Sequence, residues 1–135
     1  RSIIRITRGL QHDWFDLSAW KTLQEKPYKI SPEFDRMGLR TSGKKIYPIS
    51  PNHVITEGVP LGAVQIPGNG KPIISFVDHQ TTGGYPKIAN VITADLCKVG
   101  QLRSGDEFQF QLVTMKEAEF LRLDQEKFLR ELVEK

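Results

Sequence analysis

The sequence E-F-Q-F-Q-L at residues 107–112 decides the fold class of this chain. Apolar and polar side chains alternate through it, so an extended backbone would present one apolar face and one polar face. The turn signal Ser104-Gly105-Asp106 stands directly before it. We therefore expect a half-buried β-strand that covers a core with its phenylalanines.

Short segments of the same kind fill the chain on the N-terminal side of this strand. The further strand candidates are Ser2–Thr7, Tyr28–Ser31, Lys45–Ile49, His53–Thr56, Ala63–Ile66, Ile73–Val77 and Ala89–Ile92. Pro67-Gly68-Asn69-Gly70 predicts a hairpin between two of them, because Asn-Gly adopts positive φ at low cost. Many short strands with closely spaced turns favour a mainly β fold, a barrel or a sandwich, over a parallel α/β sheet.

A first helix is predicted over His12–Lys26. Asp13 is suited to cap it, and Pro27 ends it because proline disfavours a helical residue before it. Its apolar stripe consists of Phe15, Ala19 and Leu23, with Trp20 beside them. Thr93–Val99 predicts a short helical turn.

A long amphipathic helix is predicted over residues 114–135. Thr114 and Glu117 have the spacing of a capping box, in which each side chain binds the other residue's backbone amide. The apolar stripe comprises Ala118, Leu121, Phe128, Leu129 and Leu132, widened by Phe120, Leu123 and Val133. We expect this helix to dock on its own barrel or on a partner.

Composition excludes several classes of protein. The chain has 135 residues, a net charge of +3 and basic residues scattered among acids, so it fits one domain and predicts no nucleic-acid binding. No apolar run reaches the length of a membrane span, and no signal peptide is visible. The single Cys97 excludes an intrachain disulfide, and the histidines are too few for a predicted metal site. We expect a cytoplasmic protein and, without an initiator Met, a fragment of a longer one.

Two polar segments are unusual for a scaffold. Residues 35–40 place an acid and two arginines around a glycine, and arginine forks suit a carboxylate or a phosphate; the alternative is a turn in which Asp35 pairs with an arginine. Residues 78–87 follow an apolar strand and contain Gly83-Gly84, which lets backbone approach a ligand, while Thr82 and Lys87 suit an anion. The alternative there is a polar loop that closes a barrel.

These segments belong to a series of motifs in a fixed order along the chain. The motifs are Gly9-x-Gln11, Asp35-Arg36-Met37-Gly38-x-Arg40, Glu57-Gly58-Val59, Gly62-x-x-Gln65-x-Pro67, Asn69-Gly70-x-Pro72-Ile73, Asp78-x-Gln80-Thr81-Thr82-Gly83-Gly84-Tyr85-Pro86-Lys87-Ile88, Gln101-Leu102-Arg103 and Gly105-Asp106. Together they resemble the C-terminal half of the biotin-dependent carboxyltransferase family, which includes the C subunit of 5-oxoprolinase, allophanate hydrolase subunit 2, the carboxyltransferase part of urea carboxylase and an antagonist of a sporulation-kinase inhibitor. Leu10, Ser42 and Ser104 depart from the usual family residues, all at turns.

The resemblance implies a cyclophilin-like β-barrel over residues 1–113, followed by the C-terminal amphipathic helix at 114–135. It also implies a homologous barrel on the N-terminal side, with the active cleft between the two. An isolated half would expose the surface that its partner covers, so we expect self-association into a homo-oligomer.

The resemblance also implies roles for individual residues. Arg36 or Arg40 would bind the substrate carboxylate or carbonyl, and Lys87 would stabilise developing negative charge, which makes these three the candidate catalytic residues. Asp78 and Glu57 would orient the cations. The candidate substrate-binding residues are Asp35, Glu57, Gln65, Asp78, Gln80, Thr81, Thr82, Gly83, Gly84 and Tyr85.

Three functions follow from the family. The first is a subunit of an ATP-dependent 5-oxoprolinase that cleaves 5-oxo-L-proline to L-glutamate with partner subunits A and B. ATP is expected at the level of the complex, because a lactam is unreactive in water. The second is a biotin-dependent carboxyltransferase acting on urea or a related amide. The third is a regulatory module that binds a kinase inhibitor.

Overall fold

The chain forms a closed seven-stranded β-barrel flanked by helices. The computed structural model describes residues 2–35, 38–50, 58–76 and 84–134, with Phe34 and Asp35 described by their backbone. The strands are β1 Ser2–Arg8, β2 Tyr28–Asp35, β3 Gly38–Ser42, β4 Ala63–Gln65, β5 Ile73–Ile74, β6 Lys87–Val91 and β7 Glu107–Leu112. The α-helices are α1 Leu17–Glu25, α2 Leu96–Gly100 and α3 Met115–Val133, with 3₁₀ turns at His12–Trp14 and Thr93–Asp95.

The strands follow the order β1-β6-β4-β5-β3-β2-β7 around the barrel. β1 and β7 pair in parallel and close the ring, whereas the other neighbours pair antiparallel. Closure pairs the strand edges that an open sheet would leave exposed. The predicted mainly β fold and the barrel implied by the resemblance are confirmed.

The alternating strand behaves as its sequence predicts. Phe108 and Phe110 are fully buried in β7, and their rings meet edge to face with centroids 5.0 Å apart. Tyr28 of β2 packs against both rings, and its hydroxyl donates to the Lys44 carbonyl at 2.8 Å. Ile4 and Ile6 of β1 extend this core. The barrel interior is therefore filled by apolar side chains.

Several strand predictions need correction. β2 runs on to Asp35 and pairs with β3, which the sequence patterns did not predict. The predicted strand at Lys45–Ile49 is irregular; single hydrogen bonds from Ile46 to Gly70 and from Ile49 to Trp14 hold it instead of a ladder. In the described part of the candidate Ile73–Val77, residues 73–76, the first two residues form strand and the next two do not; Val77 lies outside the described residues. His53–Thr56 lies outside the described residues.

The predicted hairpin is present between β4 and β5. The Gly70 amide donates to the Pro67 carbonyl at 2.9 Å and closes the turn. Gly70 adopts a φ of +78°, and a side chain there would meet Lys45 and the Tyr47 ring. The left-handed residue of this turn is thus a glycine, as the hairpin requires.

The first helix begins later than predicted. His12–Trp14 forms a 3₁₀ turn, Phe15 is extended, and α1 begins after Asp16. The Asp16 carboxylate accepts the Ala19 amide at 2.8 Å, so Asp16 is the N-cap and the prediction of Asp13 was wrong. The extended backbone at Phe15 lets its ring enter the core, which a continuous helix would prevent.

α3 has the predicted capping box, with Thr114 and Glu117 each accepting the other's amide. Its first half packs on the Thr93–Asp95 turn, where Gln125 Nε2 donates to the Ala94 carbonyl at 3.1 Å. Every described residue from Glu126 to Glu134 is exposed. None of the helices in the described ranges has both the length and the hydrophobicity that crossing a membrane requires.

Candidate active site

Three of the predicted site residues lie in one row across four neighbouring strands. Lys87 of β6 pairs with Gln65 of β4 where that ladder shifts its register after Val64, and Gln65 pairs with Ile73 of β5. Ile73 in turn pairs with Arg40 of β3. Directly paired residues point to the same face of a regular sheet, so Arg40, Ile73 and Gln65 share a face, whereas the register shift at Lys87 interrupts this rule; the row spans roughly 14 Å, three strand spacings.

This face is the one opposite the barrel interior. Val64 and Ile74, the sequence neighbours of Gln65 and Ile73, belong to the core cluster. Side chains alternate along a strand, so Gln65, Ile73 and Ser75 face outward. Nevertheless Gln65 is 0% exposed, Ser75 1% and Lys87 2%. A buried polar group on the outer face of a barrel is unusual, because burial carries a desolvation cost that few side chains recover.

Gln65 and Ser75 are joined by a hydrogen bond. Gln65 Nε2 donates to Ser75 Oγ at 3.0 Å on this buried outer face. Gln65 Oε1 is also buried, and it accepts no hydrogen bond from the residues that the structure describes.

Lys87 is fixed by its backbone. The Gln11 side chain accepts the Lys87 amide at 2.9 Å, and the Gln11 amide donates to the Lys87 carbonyl at 3.1 Å. Gly9 lies against the same segment, where its amide donates to the Ile88 carbonyl. A Cβ at Gly9 would stand 2.4 Å from the Lys87 oxygen, so glycine is required for this approach.

Gly38 plays a comparable part beside Arg40. A Cβ at Gly38 would stand 2.2 Å from the Ile74 carbonyl oxygen, and the residue has a φ of +146°. The glycine of the Asp-Arg-Met-Gly-Leu-Arg segment thus lets β3 lie tightly against β5. This packing brings Arg40 into register with Ile73.

Arg40, on the last strand of the row, lines a small polar pocket. The pocket has a volume of about 100 Å³ and is lined by Ser31, Glu33, Arg40, Thr41, Ser42, Asn69, Lys71 and Ile73. Its two cations outnumber its one carboxylate, and with three hydroxyls they suit a carboxylate or a phosphate group. Ile73 lies in the wall of this pocket and pairs with Gln65 on the neighbouring strand. The pocket is therefore separated from the buried Gln65 by one strand, β5.

The remaining predicted residues divide into two groups. Gly84 is half-buried and Tyr85 is 38% exposed, and both directly precede the buried Lys87 segment. The Pro86 carbonyl that follows them accepts the Ile66 amide at 2.9 Å. Outside the described residues lie Arg36, Glu57, Asp78, Gln80, Thr81, Thr82, Gly83 and the Asp35 side chain.

Sequence reasoning missed four residues at this site. Gly9 and Gln11 were recognised as part of a motif, but the contact of Gln11 with Lys87 spans 76 positions and has no local signal. Ser75 was placed in an apolar strand. Its position two residues after Ile73 puts it on the same face of the strand, and this spacing was the available signal. Lys71 follows the hairpin turn, where a lysine is common on any protein surface.

The barrel and its polar row define the class of protein. The family described as carboxyltransferase domain, subdomain A and B, matches residues 1–112. The chain belongs to this family.

The particular relatives are consistent with this. The chain is 36% identical over 132 residues to the C subunit of 5-oxoprolinase from Haemophilus influenzae, covering 98% of this chain and 43% of the relative. It is 33% identical to the C subunit of 5-oxoprolinase from Escherichia coli, covering 96% and 42%. The crystal structure of the K. lactis urea amidolyase matches with a TM-score of 0.81 and 28% identity, over 93% of this chain and 8% of that one. The chain thus spans less than half the length of these relatives.

Proposed function

We propose that this domain forms part of the active site of an ATP-dependent 5-oxoprolinase, which cleaves 5-oxo-L-proline to L-glutamate. The observation that carries the proposal is the match to the C subunits of two 5-oxoprolinases over nearly the whole chain, at 36% and 33% identity. The row of Arg40, Gln65 and Lys87 lies within the matched region. Partner subunits A and B belong to the same proposal.

The row offers the chemistry that opening a lactam needs. In the net reaction, the oxygen of water bonds to the ring carbonyl carbon, the C–N bond breaks and the ring nitrogen takes a proton. Negative charge develops on the carbonyl oxygen during this change, and the Lys87 ammonium would stabilise it. The Arg40 guanidinium would bind the substrate carboxylate through its paired N–H groups.

ATP is proposed at the level of the complex rather than in this pocket. The volume of about 100 Å³ beside Arg40 is enough for a carboxylate or a phosphate but smaller than whole organic ligands occupy. ATP would supply the free energy that makes the amide carbonyl a better electrophile. The residues of this chain would bind and orient the lactam.

Carboxyl transfer to urea or a related amide is the second candidate. It is favoured by the TM-score of 0.81 with the K. lactis urea amidolyase, a close match of the backbone at only 28% identity. In that case a biotin-bearing partner would deliver the carboxyl group, and the same row would bind the acceptor amide.

Purification of the full-length parent from its own cells tests the proposal. We expect subunits similar to 5-oxoprolinase A and B to co-purify, and the assembly to release glutamate from 5-oxo-L-proline only when ATP is present. A biotinylated partner together with urea-dependent carboxyl transfer would replace the first candidate with the second. Capture of a kinase inhibitor without either activity would contradict both.

A further inference from the structure

The pocket beside Arg40 has one wall made by an irregularity in β2. The β2–β3 ladder shifts its register there, so that β2 has the residues Ser31–Glu33 where β3 has only Arg40. Ser31 Oγ accepts the Glu33 amide at 3.1 Å and stabilises this bulge. Bulges redirect side chains and are common beside functional sites. Ser31 and Glu33 consequently line a pocket that a regular ladder would close.

The opposite wall is the hairpin between β4 and β5, from which Asn69 and Lys71 line the pocket. Asn69 Oδ1 accepts the Lys71 amide at 3.0 Å, which fixes the backbone of Lys71. The buried Thr41 hydroxyl donates to the Pro72 carbonyl at 2.6 Å and ties the hairpin to β3, next to Arg40. The fold therefore holds Lys71 and Arg40 on the walls of one small cavity.

Lys71 brings a second positive charge to this cavity. Its side chain is half-buried, and within the described ranges its ammonium takes part in no ion pair or hydrogen bond, although Glu33 lines the same pocket. Two cations against one carboxylate leave an excess of positive charge. The volume of about 100 Å³ is enough for one small charged group of a ligand. The charge and the size together favour an oxyanion.

We propose that Lys71 is a second cation for an oxyanion bound beside Arg40, which makes it a residue that selects ligands with a carboxylate or a phosphate group. The planar guanidinium offers paired N–H groups and the ammonium a compact charge, so the two side chains bind different oxygens of one group. The inference rests on the proposed function, because it adds a residue to the binding of the substrate carboxylate. A phosphate group has the same chemistry, and the test separates the two sources.

The test measures how far small ligands protect Lys71 from acetylation by acetic anhydride in the full-length protein. The reagent attacks the unprotonated amine, so an anion bound to the ammonium slows the reaction. The ligands are 5-oxo-L-proline, inorganic phosphate and 2-pyrrolidinone, which has the same lactam ring without the carboxylate. Sodium chloride keeps the ionic strength constant, because screening alone changes the reactivity of lysines.

Mass spectrometry compares Lys71 with Lys45 in the same sample. Lys45 is exposed and lies beside Gly70 of the same hairpin, but it does not line the pocket. We expect 5-oxo-L-proline and phosphate to slow acetylation of Lys71 about 10-fold at saturation, the effect of one charge-assisted hydrogen bond, and to leave Lys45 unchanged. 2-Pyrrolidinone should protect neither lysine.

Two variants test whether the cations act together. Arg40→Gln should remove most of the protection of Lys71, because the anion loses the paired N–H groups of the guanidinium. Lys45→Gln is the matched control and should retain it, since it removes a positive charge beside the hairpin but outside the pocket. Full protection of Lys71 in a folded Arg40→Gln variant would contradict a shared anion.

The ligands distinguish the remaining outcomes. Protection by 5-oxo-L-proline alone assigns the site to the substrate carboxylate, and protection by phosphate alone assigns it to a phosphate group. The inference is overturned if neither anion protects Lys71, if Lys45 is protected equally, or if 2-pyrrolidinone protects as well as 5-oxo-L-proline.

The readout is independent of turnover. Protection of Lys71 in an assembly that does not cleave 5-oxo-L-proline would contradict the proposed function and support the oxyanion site. Cleavage without protection of Lys71 would refute the inference alone.

Discussion

Gly9 and Gln11 show how single residues fix the position of Lys87. Gln11 binds the amide and the carbonyl of Lys87, and Gly9 lies against the same backbone without a side chain. β1 stops pairing with β6 at Arg8, so Gln11 satisfies an amide that the strand no longer reaches. The motif Gly-x-Gln is explained by this local geometry.

Gly9→Ala should lower the free energy of unfolding by about 2 kcal/mol, because the new Cβ would overlap the Lys87 carbonyl and the β6 backbone cannot yield easily. Gly68→Ala is the matched control, since a Cβ there meets nothing within 4 Å. Urea unfolding of both variants measures the difference. Equal stability of the two would show that the approach of Gly9 to β6 is looser than described.

At the level of elements, β1 is tied to the Thr93–Asp95 turn by a buried ion pair. The Asp95 carboxylate accepts from the Arg5 guanidinium at 2.6 and 3.0 Å and from the Arg5 amide at 2.8 Å. Burial alone would raise the pKa of Asp95, but the hydrogen bonds and charge of Arg5 outweigh it and hold the pKa below its usual value. This turn is also the platform on which α3 packs.

This ion pair predicts a pH dependence of stability. A carboxyl group whose pKa is lowered on folding stabilises the fold above its unfolded pKa, and that stabilisation is lost as the pH falls through the folded pKa. Asp95→Asn should therefore cost about 3 kcal/mol near neutral pH, and the difference from the wild type should shrink below about pH 4. Thermal unfolding across this pH range measures it. A difference that stays constant into acid would contradict the assignment.

α3 extends beyond the surface on which it packs. Phe128 and Leu132 lie on its C-terminal half and are 59% and 51% exposed. They share one face of the helix with Leu121, which is half-buried. Contiguous exposed apolar side chains usually mark a contact surface. The predicted docking of this helix is thus confirmed for its first half only.

We expect residues 1–135 to self-associate through this stripe. Phe128→Ser with Leu132→Ser should shift sedimentation toward the monomer, because the variants remove apolar area available for burial. Leu17→Ser serves as the control, since Leu17 is 88% exposed but stands on α1. Loss of association in the control as well would assign the effect to general surface hydrophobicity.

At the scale of the whole molecule, the sequence predicted the mainly β fold better than it predicted individual strands and helix ends. The alternation around Phe108 and the turn at Gly70 specify strands and a hairpin through local physics. β3 was missed because its residues do not alternate, and it exists through pairing with β2 and β5. Asp13 and Asp16 are both plausible caps, and burial of Phe15 decides between them.

The resemblance named residues of the candidate site but could not give their arrangement. The resemblance named Arg40, Gln65 and Lys87, yet their common row depends on the register of four strands, which no local pattern encodes. The bond from Gln11 to Lys87 depends on the same closure of the barrel. Long-range pairing therefore determines which predicted residues can act together.

The most direct test of the central claim is the turnover of 5-oxo-L-proline by the full-length assembly with Lys87→Ala, measured beside its free energy of unfolding. The control is Lys29→Ala, an exposed lysine on β2. If Lys87 stabilises the charge on the lactam carbonyl, kcat should fall by on the order of 100-fold or more, while stability changes far less. Proportional losses of turnover and stability, or turnover equal to that of the control, would contradict a catalytic role for this row.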